Sequence, residues 1–266
     1  MHINFFDIHS HVNFPEYDAD RAEVLTRMKE KGVWTITVGT NFEFSQSAVE
    51  MADKNEGIFA TIGLHPAGAE PGQLAETFDE NAFAELVVHP KVVAIGECGM
   101  DYGRTDTATA EDKIRQKKDF ETQIDFAVRY NKPLMLHIRN AHEDVLDILT
   151  FKKREYGDKL RGNVHFFSGT IEVEKKYLEL GFSVSFTGVI TFVKDYHEAV
   201  AYAPLDMLMS ETDAPYVTPI PYRGKRNEPV YVEEVVKKMA EIKGKSVEEM
   251  QKILVDNAIR IFNIPL

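Results

Sequence analysis

Eight short apolar runs, spaced along the whole chain and separated by stretches of helical periodicity, leave few architectures open to this sequence. They cover Phe5 to His9, Thr35 to Gly39, Ile58 to Leu64, Val92 to Glu97, Leu134 to His137, Val164 to Phe167, Phe182 to Phe186 and Met207 to Glu211. Runs of this length without polar alternation read as strands buried on both faces, the habit of parallel sheets. Helical spacing fills the gaps. Ala19 to Lys31 carries Ala22, Leu25 and Met28 on one stripe, and about Asp112 to Tyr130 carries Phe120, Ile124, Ala127 and Val128. Further helices fit Glu143 to Phe151, Val173 to Leu180, Tyr231 to Ile242 and Val247 to Ile261. This alternation predicts an α/β fold, a single-domain (β/α)8 TIM-type barrel over residues 1–266. No Pro/Gly/Ser-rich linker divides the chain. The breakers Gly63-Leu64-His65-Pro66 and Thr218-Pro219-Ile220-Pro221 fall in loops after strands.

Six residues of metal-ligand type are His9, His11, Glu97, His137, His165 and Asp213, and most directly follow one of the apolar runs. A β/α barrel builds its active site at the carboxyl ends of its strands. A doubly wound open sheet would gather ligands at one switch point, whereas these six come from strands 1, 4, 5, 6 and 8, which only a closed barrel brings around one mouth. His9 and His11 are two apart, so on a strand both side chains point to the same face. Four imidazoles and two carboxylates are too many for one tetrahedral ion with an open position. They suit two ions about 3.5–4 Å apart that share a carboxylate. Glu97, midway along the chain, is the natural bridge; His9, His11 and Asp213 would hold one ion, and His137 and His165 the other. Mixed nitrogen and oxygen donors admit Zn, Mn, Ni or Co. Water on such a centre ionises near neutral pH, and Asp213 is placed to orient it and carry its proton to the leaving group.

Each assignment has a plainer competitor. His9 or His11 singly could fill a barrel, and the pair argues for metal. Glu97 buried at a strand end without a partner would be a costly charge. His2, His89, His142 and His197 sit in helical or loop context and read as surface or capping residues. Around the ligands, Arg139 lies two beyond His137 and shares its direction, so it can reach a substrate oxygen. His65 sits at the mouth after strand 3, and Ser168 with Gly169 can offer backbone N–H groups to an anion. Arg223, Lys225 and Arg226 cluster in the last loop, where a solvated charge run competes with phosphate binding. Glu211, two before Asp213, is better suited to orienting a ligand than to binding metal. Cys98 reads as a small packing residue.

The segments that carry these residues resemble the TatD-related metal-dependent deoxyribonucleases, a branch of the amidohydrolase superfamily. They are Phe6-Asp7-Ile8-His9-Ser10-His11, Gly63-Leu64-His65-Pro66, Gly96-Glu97-Cys98-Gly99-Met100-Asp101-Tyr102 and Leu136-His137-Ile138-Arg139, followed by His165-Phe166-Phe167-Ser168-Gly169, Ser185-Phe186-Thr187-Gly188, Glu211-Thr212-Asp213-Ala214-Pro215-Tyr216 and Arg223-Gly224-Lys225-Arg226-Asn227-Glu228-Pro229. Cys98 and Met100 stand where aliphatic residues are usual, Phe166 where a cysteine is, and Ala214 where a serine is; none of these removes a ligand. The resemblance implies a β/α barrel, a site for two divalent metal ions with Mg expected in the cell, and hydrolysis of DNA phosphodiesters, often as a 3′ exonuclease.

The formal net charge of −12 limits how DNA can be held. Proteins that grip long duplexes carry a basic stripe, because neutralising phosphates supplies most of the affinity. The expected substrate is therefore a DNA end or a short single strand, held at a few phosphates. The alternative keeps the barrel and the metals but hydrolyses a small molecule, as amidohydrolases and phosphotriesterases do. No apolar stretch approaches the ~18 residues that span a bilayer, and a single cysteine fits a reducing compartment. A cytoplasmic monomer without a membrane or obligate protein partner is the expectation.

Overall fold

The computed structural model describes residues 3–67, 76–103 and 108–265. Eight parallel strands form one sheet in sequence order: β1 (Phe5–Ser10), β2 (Val33–Val38), β3 (Ile58–Ile62), β4 (Val92–Asp101), β5 (Leu134–Arg139), β6 (Gly162–Val164), β7 (Phe182–Phe186) and β8 (Leu208–Ser210). Around them run α1 (Arg21–Lys31), α2 (Phe42–Lys54), α3 (Glu80–Val87), α4 (Ala110–Arg129), α5 (His142–Tyr156), α6 (Ile171–Glu179), α7 (His197–Tyr202), α8 (Val232–Lys243) and α9 (Val247–Ile261). This is the single α/β barrel that the alternation of runs predicts. Helix ends follow local chemistry: Thr109 and Asp112 close α4 with a reciprocal capping box, and Gly32 ends α1 in the left-handed conformation. Among the described residues, no helix is long and apolar enough to cross a membrane.

The barrel closes between β8 and β1, and the closure is local. Ser10 bridges Ala214, His11 N–H donates to the Ala214 carbonyl at 2.7 Å, and Asp213 N–H donates to the His9 carbonyl at 2.9 Å. Beneath them the fully buried Asp7 carboxylate accepts from the Thr212 N–H at 2.8 Å and its hydroxyl at 2.6 Å. The seam therefore fixes His9, His11 and Asp213 relative to one another through the backbone.

β4 departs from the predicted run. It continues past Glu97 to Asp101, paired Gly99 to His137 and Asp101 to Arg139 on β5, with an irregularity between Ile95 and Cys98. Gly99 is required there: its φ is 138°, and a Cβ would lie 2.1 Å from the His137 carbonyl oxygen. β6 ends at Val164, short of the expected Phe167, because Phe166 turns into the left-handed region at φ 44° and gives its N–H to the Glu211 carboxylate.

Candidate metal centre

All six candidate ligands converge at the carboxyl ends of the strands. Five of them line a cavity of about 1060 Å³, and His9 lies beneath, fully buried. The Nε2 atoms of His9 and His11 are 3.2 Å apart. They face Glu97 Oε2 at 3.5 and 3.8 Å and Asp213 Oδ1 at 3.8 and 3.5 Å, respectively. Donors about 2.1 Å from a shared tetrahedral ion stand roughly 3.4 Å apart, so His9, His11 and Asp213 have the spacing of a metal site, with Glu97 Oε2 beside both rings. The other Glu97 oxygen, Oε1, faces His137 Nδ1 at 2.7 Å, His165 Nε2 at 2.9 Å and His65 Nε2 at 3.6 Å. Glu97 thus gives one oxygen to each of two corners.

The proton inventory bears on what can sit there. His11 Nδ1 faces the Val38 carbonyl at 3.3 Å, which only accepts, so its Nε2 is left with a lone pair. His165 has Glu211 Oε2 at 3.2 Å on Nδ1 and Glu97 on Nε2; His137 has Asp101 Oδ2 at 2.9 Å on Nε2 and Glu97 on Nδ1. A neutral imidazole carries one N–H and cannot satisfy two acceptors. A proton or a cation is needed on the Glu97 side of both rings, and the donor set fits divalent metal there. The electrostatics agree. Burial pushes the Glu97 carboxyl up, yet His165, His65, His9 and the His137 hydrogen bond hold it well below the usual range. Burial lowers His165, and the Glu211 and Glu97 carboxylates reverse this to raise it well above an ordinary histidine. Asp213, opposed by its own burial, is lowered by the His11 hydrogen bond and by His9 and His165. His65, with burial and His137 against its charged form, falls to about 3.

Carboxylates behind the rings complete the arrangement. Ligating histidines commonly give their second N–H to a carboxylate or carbonyl, which fixes tautomer and ring direction. Glu211 stands behind His165 and also accepts from Ser185 Oγ at 3.0 Å. Asp101, behind His137 and 3.4 Å from Arg139, is a residue the sequence reading passed over. Its carboxyl, despite burial, is brought down to about 2 by its bond to His137. The available signal was its spacing, four after Glu97 on one strand and therefore on the same face.

The remaining candidates divide. His65, Arg139 and Ser168 line the cavity; the Arg139 side chain is 46% exposed and so free to meet a ligand. Arg223 does not line it. Its guanidinium lies 4.1 Å over the Phe192 ring and donates to the Thr218 carbonyl at 3.0 Å. Arg226 is committed elsewhere, paired with both Asp20 oxygens at 2.8 and 2.7 Å. His89, His142 and His197 also stand apart, beside Asp53, Tyr177 and the Ile190 carbonyl; His2 lies outside the described residues. Buried Cys98 packs in the core, and burial pushes its thiol well up. Of the six non-glycine residues with left-handed backbone among the described residues, Asn140, Phe166, Asp213 and Val217 line the cavity. Such strain concentrates at functional sites.

A model of the TatD-related DNase family matches residues 6–263. An uncharacterized metal-dependent hydrolase of Bacillus subtilis, YabD, is 40% identical over 263 residues, covering 97% of this chain and 99% of that protein. The 3′-5′ ssDNA/RNA exonuclease TatD of Musicola paradisiaca is 32% identical over 272 residues, covering 97% and 98%. The crystal structure of YjjV, a TatD homologue from Escherichia coli, matches with a TM-score of 0.86 at 27% identity over the whole of both chains.

Proposed function

Since this chain belongs to the TatD-related DNase family and is a metal-dependent hydrolase, we propose that it removes nucleotides from the 3′ ends of DNA with two divalent ions bound at Glu97. The observation that carries this reading is the division of Glu97, with Oε2 turned to His9 and His11 and Oε1 to His137 and His165. His9, His11 and Asp213 would hold one ion, His137 and His165 the other, and Glu97 both. Ions bound there would supply Lewis acidity to the phosphoryl oxygens and an acidified water. Four imidazoles among six donors suit Zn, Mn, Co or Ni better than Mg, which prefers oxygen.

The chain's own groups do the rest. Asp213, the most exposed of the ligand carboxylates at 14%, takes the proton from the attacking water. It returns that proton to the sugar oxygen as the P–O bond breaks. Arg139, from the end of β5, pairs with a non-bridging phosphate oxygen, and His65 and Ser168 orient the same group from neighbouring loops. The relative named as an exonuclease on single-stranded DNA and RNA supports this substrate class. Among the described residues Arg139 is the one arginine or lysine that lines the cavity, an arrangement that suits a chain end better than a passing duplex.

The test is linear single-stranded DNA against a covalently closed circle of the same sequence, with protein reconstituted in each metal in turn. The linear strand is expected to shorten stepwise from its 3′ end while the circle stays intact. Rapid cutting of the circle would replace the exonuclease with an endonuclease. Inertness toward both, with turnover of small esters or amides, would replace the nuclease with a small-molecule hydrolase.

A further inference from the structure

The two walls of the cavity differ in chemistry. Over the His137 and His165 corner stand Arg139, Asn140 and Ser168, polar groups from the end of β5 and the segments after β5 and β6, with Phe166 edge-on to His165 at 6.4 Å. Over the His9, His11 and Asp213 corner stand Phe14, Phe44 and Tyr216, from the segments after β1, β2 and β8. Phe14 lies against His11 with ring centroids 4.4 Å apart and an interplanar angle of 24°. Phe44 adjoins Phe14 at 4.6 Å, and Tyr216 meets His11 edge-on at 6.4 Å. Tyr216 is 48% exposed, and neither Phe14 nor Phe44 is fully buried. Large apolar rings kept partly open beside a charged cluster are costly unless something covers them.

We infer that this aromatic wall is a stacking platform for an unpaired nucleobase beside the scissile phosphate. The inference rests on the nuclease reading above and adds to it how single strands are chosen. A phosphate held at Glu97 and Arg139 leaves the adjoining base a choice of walls; Phe166 and Tyr196 also line the cavity, but the Phe14–Tyr216 side gathers Phe14, Phe44 and Tyr216 around His11. Base–aromatic stacking tolerates any sequence and does not need the basic groove that a chain of net charge −12 lacks. A paired base is tied to its partner and, except for the outer face of a terminal pair, covered by its neighbours, so it cannot turn onto such a wall without unpairing. Selection of single-stranded ends would then come from stacking and not from electrostatics.

The experiment compares single strands that differ only by an abasic site at the 3′-terminal nucleotide or at its neighbour. They are assayed with the metal-loaded wild type, Phe14→Leu, Phe14→Tyr and Tyr216→Ala. Metal content and melting temperature are measured alongside. In the wild type, removing one of the two bases should lower kcat/KM by roughly 5- to 150-fold, the range that stacking on an aromatic ring gives. Phe14→Leu or Tyr216→Ala should bring that ratio toward 1, mainly through KM, and Phe14→Tyr should keep it. A purely structural role for the rings would slow intact and abasic strands alike and leave the ratio unchanged, which overturns the inference. A base ratio near 1 in an active wild type overturns it too. Bis-p-nitrophenyl phosphate, a diester without a base, separates the two readings. A wild type inert toward this diester and toward every strand defeats the nuclease itself, whereas one active on DNA but blind to bases defeats only the platform.

Discussion

On one side of Glu97 the donor atoms of His9, His11 and Asp213 stand 3.2–3.8 Å from one another, and the two rings 3.5 and 3.8 Å from Oε2; on the other, His137 and His165 approach Oε1 to 2.7 and 2.9 Å. The difference follows from what stands behind each corner. The first is set by the backbone, through the β1–β8 seam bonds among His9, His11, Asp213 and Ala214 and the His11 contact with the Val38 carbonyl. The second is set by side chains, with Asp101 behind His137 and Glu211 behind His165. A corner built on main-chain bonds resists single substitutions, whereas one braced by carboxylates is open to them. Glu97 gives one carboxylate oxygen to each.

The largest effect should therefore come from Glu97→Gln, which keeps shape and removes the shared charge. It is expected to lower occupancy at both corners together and to cut turnover by about 100- to 1000-fold or more. Metal analysis of the purified variant is the check. Two ions retained with near-normal turnover would end the bridging role. Next comes Asp101→Asn, which leaves Glu211 and the seam intact and is expected to weaken binding of one ion of the two by about 10- to 100-fold. Stepwise metal titration by calorimetry reads this directly. Equal weakening at both corners would show that the corners are not independently braced.

A smaller effect is expected in the walls. Arg139→Ala should leave metal content intact and lower kcat/KM on DNA about tenfold, since a charged hydrogen bond to phosphate contributes roughly 1.5–3 kcal/mol. Arg223→Ala should cost less, because its guanidinium is turned onto Phe192 outside the cavity. Steady-state kinetics of the pair decides it, and the reverse order would move the phosphate contact to the last loop.

The smallest effect concerns a buried carboxylate with no imidazole beside it. Glu174, on α6, is fully buried with neither oxygen hydrogen-bonded, and burial raises its pKa from 4.5 to about 7, with only Lys243 opposing. The native state thus holds a proton that the unfolded chain releases near 4.5. The resulting loss of stability is absent below that pH, grows as pH rises toward 7, and is constant above it. Glu174→Gln should melt close to the wild type at pH 5 and a few degrees higher at pH 8. A gap that does not widen between these values would show that the carboxylate finds a partner in solution. Glu97, equally buried, moves the opposite way because imidazoles surround it.

The barrel was legible in the sequence because strands buried on both faces must be apolar runs, and because helices packed on them must show periodic stripes. The ligand types were legible for a related reason: a charged or imidazole residue directly after an apolar run has few bland explanations. What the runs could not give was where each strand stops. β4 continues to Asp101 because Gly99 lets it lie against His137, a close approach that depends on β5 and not on local composition. Asp101 was missed for that reason. The basic cluster misled in the other direction. Arg223, Lys225 and Arg226 are alike in sequence, yet tertiary packing sends Arg226 to Asp20 and Arg223 onto Phe192. The aromatic wall is likewise invisible in order along the chain, since Phe14, Phe44 and Tyr216 come from the loop after β1, the first turn of α2 and the loop after β8. The chain's order of residue types settled the architecture and the donor chemistry by itself, because burial and periodicity are local consequences of composition. At what distances the donors face Glu97, which imidazole each carboxylate braces and which rings face the cavity were decided only by closure of the sheet, because those contacts join residues as far apart as Asp7 and Thr212.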